Sequence, residues 1–320
     1  LNEGPAQGGP NGCVTMARFA INRLLQLVPT LIVVTLVVFV LIRVSGDPTS
    51  LLLPPDATDA DREAFRAAKG LDDPLPQQYL TFVSEVIRGD FGESLWQHEP
   101  AIDVVKRHLA ATLQLTVAAM AIVLLIGIPL GIISAIKRGS IVDFVTMGFV
   151  AVGQSIATFW LGLMLILIFA VKLNWLPPSG RATPQSIILP AITLSAYYLA
   201  VVTRLVRSGM LDVLSREFMR VARAKGLRER TVIVRHGLRN TLIPLMTVLG
   251  LQLGEMMAGA VVTETVFAWP GIGSLLLDAI SRRDYPIVQA CIIVAALFFA
   301  IINIVVDLLY GFLDPRIRTE

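Results

Sequence analysis

The chain has 320 residues, 55% of them hydrophobic and 16% charged, with a mean hydropathy of +0.71. That is more apolar material than a water-soluble core can absorb, so an ordinary soluble domain is excluded. A net charge of +3 gives no footing for nucleic acid as a partner, and Cys13 and Cys291, one in a polar tail and one in an apolar run, exclude a disulfide framework or a cysteine metal site.

Residues 1–15, rich in Gly, Pro and Asn, read as a disordered tail, and Met16 offers a natural start. A membrane helix needs about 20 largely apolar residues to cross about 30 Å of hydrocarbon. Six runs meet that need: Arg23 to Arg43, about Thr112 to Ile136, Phe144 to Val171, about Ile187 to Thr203, about Leu242 to Val262, and Pro286 to Val306. Lys and Arg are retained on the cytoplasmic side of a span. The 204–239 segment holds ten basic and three acidic residues, whereas the 45–108 segment holds six basic and twelve acidic. The expected fold is therefore an all-α integral membrane protein of six spans with both termini in the cytoplasm. Its expected divisions are a tail (1–15), a first span (16–44), an extracytoplasmic helical subdomain (45–108), a core of five spans (109–310) and a cytoplasmic tail (311–320). The outer subdomain reads as a docking or vestibule element.

The strongest charge cluster lies at 216–240, "REFMRVARAKGLRERTVIVRHGLRN". Phe218, Val221 and Ala222 fall at i, i+3 and i+4, and Arg216, Arg220 and Arg223 at spacings of four and three, so one short helix would show an apolar and a basic face. Ser215 is the expected N-cap, Gly226 the expected left-handed stop, and a second short helix is expected from Arg228 to Leu238. Such a two-faced knob suits a groove on another protein; anionic lipid of the membrane is the competing target.

Further along, Glu255 is an acidic residue well inside the fifth run, where a charged carboxylate costs about 2.5 to 3.5 kcal/mol and must face protein or a water-filled path, or be protonated, so it reads as a pathway residue or as a structural hydrogen-bonding partner of a neighbouring helix. Arg204 and Asp307, near span ends, read as interfacial or structural. Thr265 to Tyr285 reads as a short amphipathic helix dipping back at the outer surface, with Phe267, Trp269 and Asp278 as an interfacial anchor or an outer gate. No Gly-Lys pair occurs, so a GxxxxGK[ST] phosphate loop is absent, and no histidine falls within an expected span to activate a serine. The lone GxG at Gly271 to Gly273 carries almost no weight.

The run "VARAKGLRERTVIVRHGLRNTLIP" resembles the cytoplasmic coupling loop of ABC importer permeases of the peptide, nickel and glutathione branch. "GLDDPLPQQYLTFVSEVIRGDFGES", "TFWLGLMLILIFAVKLNWLPPSG" and "VVTETVFAWPGIGSLLLDAISRRDYPIVQA" resemble the same family in the same order, covering nearly everything from Met16 to "DPRIR". Where many importers carry Glu-Ala-Ala ahead of the loop glycine, this chain has Arg220, Val221 and Ala222. The resemblance implies the type I importer permease fold, with a coupling loop at 207–240 and coupling residues Glu217, Phe218, Arg220, Val221, Ala222, Arg223, Ala224, Lys225, Gly226 and Leu227. It implies a second similar permease, two cytoplasmic ATPases that hold ATP and Mg, and an extracytoplasmic solute-binding protein. It also implies a transport subunit rather than an enzyme, importing peptides or similarly sized polar solutes and holding no cofactor or metal of its own. The alternative is a proton-coupled secondary transporter using Glu255.

Overall fold

The computed structural model describes residues 25, 27–41, 53, 58–68 and 73–313. The expected tail at 1–15, the Met16 start and the closing residues 314–320 lie outside them, as does the side chain of Asp307. Ordered along the chain are α1 (Leu27–Leu41), α2 (Asp59–Ala68), α3 (Leu75–Arg88), α4 (Ala101–Ile136), α5 (Ile141–Ser155), α6 (Thr158–Lys172), α7 (Ile188–Ser215), α8 (Glu217–Ala224), α9 (229–266), α10 (Ile272–Arg282) and α11 (Tyr285–Leu313). Among the described residues the only extended pairing is an isolated bridge between Glu93 and Pro100. An apolar chain must satisfy every backbone group internally, and the α-helix does so within one segment.

Among the described residues four helices are long and apolar enough to span a bilayer: Ala101–Ile136, Pro184–Ser215, Leu245–Val266 and Tyr285–Val306. The expected third span is not one helix. Ile156 and Ala157 are extended, and α5 and α6 meet at 107° across them. Hydropathy misses this break because Ile and Ala are as apolar as the helices they separate. Counted as one bent span, the pair brings the total to five, and α1 adds a shorter apolar helix. The 36 residues of α4 run for about 54 Å at about 1.5 Å each, so the helix outreaches any bilayer core. It begins at Ala101, ahead of the 108 boundary read from the sequence, because Pro100 precedes the first turn and 101–108 carries apolar residues at helical spacing: Ala101, Val104 and Val105 are all buried.

Close approaches fix the relative directions. An added Cβ at Gly131 of α4 would lie 2.7 Å from Thr203 O and Val206 Cβ of α7, and one at Gly127 would lie 3.4 Å from Leu199 O, so α4 and α7 run in parallel. Gly209 of α7 faces Thr241 of α9, and Gly259 of α9 faces Tyr198 of α7, which makes that pair antiparallel. Gly250 and Gly254 of α9 lie against Val306 and Phe299 of α11, antiparallel again. Small residues at these crossings let backbones approach where lipid supplies no hydrophobic drive. The main core, with Leu115, Val123, Val202, Met210, Leu245 and Met256, sits between α4, α7 and α9. At the start of α11, Ile293 packs with Val38 of α1 and Phe82 of α3, and Thr35 Oγ1 lies 2.9 Å from Tyr79 Oη.

Candidate functional site

Helix α7 ends at Ser215, and the chain turns into α8 through Arg216, whose extended backbone is the N-cap without a side-chain bond. The expected cap at Ser215 is therefore displaced by one residue: its hydroxyl donates instead to Asp212 O at 2.7 Å, within the last turn of α7. The apolar face also differs from the one read from spacing. Met219 and Ala222 are buried against Val213, Leu214 and Val232, whereas Phe218 is 40% and Val221 54% exposed. Both sets have helical periodicity, and the extended Arg216 rotates α8 by the one residue that selects Met219. Glu217, Arg220, Arg223, Ala224, Lys225 and Leu227 are exposed as well.

Gly226 adopts φ +74 and stops α8, as its position required. The expected separate helix from Arg228 to Leu238 does not exist. Residues 229–266 are continuously helical through a π-helical stretch, Val232–Leu238, because no residue there leaves helical backbone angles. A link crosses the turn: Arg223 Nη2 donates to Glu229 Oε1 at 2.9 Å, which holds the Glu229 carboxyl below its ordinary range. The segment is thus clamped on one side and open on the other. Its free face mixes Phe218, Val221 and Leu227 with Arg220 and Lys225.

At the far end of α9 the chain builds a second feature. Glu264 is completely buried; its Oε1 accepts from Thr112 Oγ1 at 2.6 Å, and its Oε2 accepts from the backbone N–H of Gly273 at 2.8 Å and Ser274 at 3.1 Å. Thr112 Oγ1 in turn accepts from Ile272 N at 2.8 Å. The first amides of α10, which have no partner within their own helix, are thereby satisfied by a carboxylate placed at the positive end of the helix dipole. The other end of α10 is held by the 94–96 loop: Trp96 Nε1 donates to Arg282 O at 3.1 Å, and Ser94 Oγ to Asp284 at 2.5 Å. A cavity of about 470 Å³ lies alongside, lined by Trp96, His108, Trp269, Asp278 and Arg282 among others.

Phe267 and Trp269 are each 1% exposed, so neither is an interfacial anchor. Trp269 Nε1 donates to Ala111 O at 2.9 Å, and Phe267 packs with Ala170 and Leu189. The left-handed backbone at Ala268 and the return hydrogen bond from Trp269 N to Glu264 O turn both rings inward, which aromatic composition alone does not reveal. Asp278 is exposed on the cavity rim.

Residues 127–319 match the family described as the binding-protein-dependent transport system inner membrane component, and residues 16–116 match its N-terminal companion. The chain belongs to this family. It is a permease subunit of a binding-protein-dependent ABC importer in the bacterial inner membrane, a transport component rather than an enzyme. The glutathione transport system permease protein GsiC of Escherichia coli strain K12 is 42% identical over 304 residues, 95% of this chain and 99% of that one. GsiC of Shigella dysenteriae serotype 1 matches to the same extent. The fold is that of the inward-facing MetNI methionine ABC transporter: a solved structure aligns with TM-score 0.57 at 16% identity, covering 66% of this chain and 96% of that one.

Membership in this family displaces the proton-driven alternative. Within the permease, Glu255 lies on an exposed stripe of α9 with Leu251, Ala258 and Val262, far from the buried Glu264. Arg204 is exposed on α7 and donates to Gln154 Oε1. Sequence reasoning passed over two carboxylates, Glu264 and Asp143, because both fall at the margins of apolar runs. The available signal was spacing: Glu264 precedes a Gly-Ile-Gly-Ser helix start, and Asp143 stands three residues after Ser140, an N-cap pattern.

Proposed function

We propose that this permease imports glutathione or a similarly small peptide, and that α8 carries the closure of a cytoplasmic ATPase into α7 and α9. Six spans with both termini inside would put the ten basic residues of 204–239 on the cytoplasmic side, in keeping with the retention of Lys and Arg there. Two ATPases holding ATP and Mg, a second similar permease and an extracytoplasmic solute-binding protein complete the assembly. Solute would pass along the face that the two permeases share, where Glu255 avoids lipid. Helix α10, fastened at both ends beside the cavity, would serve as the outer gate, with Asp278 on its rim.

One observation carries the coupling role: α8 has Met219 and Ala222 locked into its own protein, while Phe218 and Val221 stand exposed beside Arg220. A rigid helix presenting apolar anchors amid positive charge is built to seat in a groove. The peptide reading rests on the 42% identity spanning almost the whole of a glutathione permease.

The test is uptake of labelled glutathione, dipeptides and nickel complexes by the complete importer in proteoliposomes. Glutathione or a dipeptide should accumulate only with ATP inside, and accumulation of nickel alone would overturn the substrate reading. Proline fixes φ near −65°, which Gly226 at +74 cannot accommodate. Gly226→Pro should therefore leave the permease inserted and ATP hydrolysis running while uptake is lost. Full uptake by that variant would refute the coupling role.

A further inference from the structure

A single carboxylate joins three elements on the side of the molecule where α7 approaches α8. Asp143, in the first turn of α5, accepts from Ser134 Oγ of α4 at 2.5 Å and from Gly139 N in the intervening turn at 3.0 Å. It also accepts from Arg207 of α7, Nε to Oδ1 at 2.7 Å and Nη2 to Oδ2 at 2.8 Å. Four donors fill the acceptor sites of an ionised carboxylate, and the planar guanidinium fork fixes both distance and orientation.

What surrounds this pair gives it mechanical weight. The start of α5 is poorly held by packing: Ile141 and Phe144 are 83% and 82% exposed, and the buried residues of the helix are Asp143, Thr146 and Val150. Helix α4 lies against α7 at Gly131, and the far end of α5 does so at Gly153, where an added Cβ would lie 3.4 Å from Ala196 O and 3.5 Å from Ala200 Cβ, which leaves the start of α5 as the part that the pair must hold. Arg207 stands eight residues ahead of Ser215, where the unbroken helix α7 ends, about 12 Å at about 1.5 Å per residue, and Arg216 then turns the chain into α8. A displacement of α8 therefore reaches Arg207 through the seat of Met219 and Ala222 on Val213 and Leu214 and the rigid helix behind it, and reaches the start of α5 through the bidentate pair, while the far end of α5 packs directly on α7.

We propose that Asp143 and Arg207 are positioning residues that lock the α4–α5 turn to α7, so that α5 follows the coupling segment as part of one body. This rests on the reading of α8 as the segment that receives ATPase motion. The complete importer, with Cys13 and Cys291 replaced by serine, is labelled with nitroxides at Val145→Cys on α5 and Ser208→Cys on α7. Distances are then measured without nucleotide and after trapping with ATP and vanadate. With the pair intact, the two distributions should coincide. In Asp143→Asn the trapped state should shift or broaden by about 2 Å, the scale of helix movements in switching proteins. Arg207→Lys, which keeps the charge and loses the fork, should fall between, and the exchanged pair Asp143→Arg with Arg207→Asp should restore part of the lock.

A separation that changes on trapping with the pair intact overturns the proposal, because α5 and α7 would then move independently. Distributions unaffected by Asp143→Asn overturn it too, even if the variant melts at a lower temperature, since the pair would then only stabilise. Gly226→Pro separates this from the underlying reading. If labels on α7 and α9 still respond to trapping in that variant, the coupling role of α8 fails, whatever Asp143 does.

Discussion

Glu264 shows how much one side chain can organise. It accepts from Thr112 and from two amides of α10, and an added Cβ at Gly271 would lie 2.0 Å from its Oε1, so nothing larger than glycine fits the approach. Glu264→Ala strands the amides of Gly273 and Ser274 and the hydroxyl of Thr112. Each buried group left without a partner costs about 1 to 3 kcal/mol, so with three of them a loss of at least about 3 kcal/mol is expected. Glu264→Gln keeps one acceptor oxygen and should lose about half as much. Thermal unfolding of the purified permease in detergent checks the order, and equal melting of all three proteins would contradict it. The sequence shows Glu264 plainly but not its partners. Thr112 lies 152 residues away, and no local pattern records a hydrogen bond closed by the crossing of two helices.

At the scale of elements, α8 illustrates what periodicity can and cannot decide. Its existence and its stop at Gly226 were legible, because amphipathic spacing and a left-handed glycine are local properties. Which face turns inward was not, since an apolar pair at i and i+3 occurs at Phe218 and Val221 as well as at Met219 and Ala222. The Arg223–Glu229 link ties the turn to the start of α9. Glu229's carboxyl titrates below its ordinary value because Arg223 donates to it, so the link's contribution is complete above the ordinary carboxylate range and fades as pH falls through the lowered value. Amide exchange at 217–231 should therefore be insensitive to this pair between pH 7 and pH 6 once corrected for intrinsic rates. Glu229→Gln should speed exchange at both pH values, and high salt should narrow the difference because both side chains are exposed. Equal protection in the variant would show the link to be idle.

For the whole molecule, the decisive feature is an exposed stripe of α9, Leu251, Glu255, Ala258 and Val262, that lipid alone would serve badly. A charged carboxylate near mid-bilayer costs about 2.5 to 3.5 kcal/mol, which a water-lined path or a second permease relieves. In the proposed assembly a cysteine at Leu251 should therefore cross-link to the second permease, and one at Ala258 should react with a water-soluble maleimide more slowly once the complex is trapped in a closed state. Neither reaction occurring in the intact complex would place the stripe against lipid and overturn the proposed pathway role of Glu255.

Composition and the order of apolar runs determined by themselves that this is a helical membrane protein, because hydrophobic length is written along the chain; the importer permease family was legible only as a resemblance, in stretches such as the one around Gly226. Only the tertiary structure decided that the third run breaks at Ile156 and Ala157, that Phe267 and Trp269 are core rather than surface, and that Asp143 and Glu264 fasten distant helices. Those outcomes depend on which helices cross and at what rotation. A linear pattern fixes what each helix can bury, and the neighbour it meets fixes what it does bury.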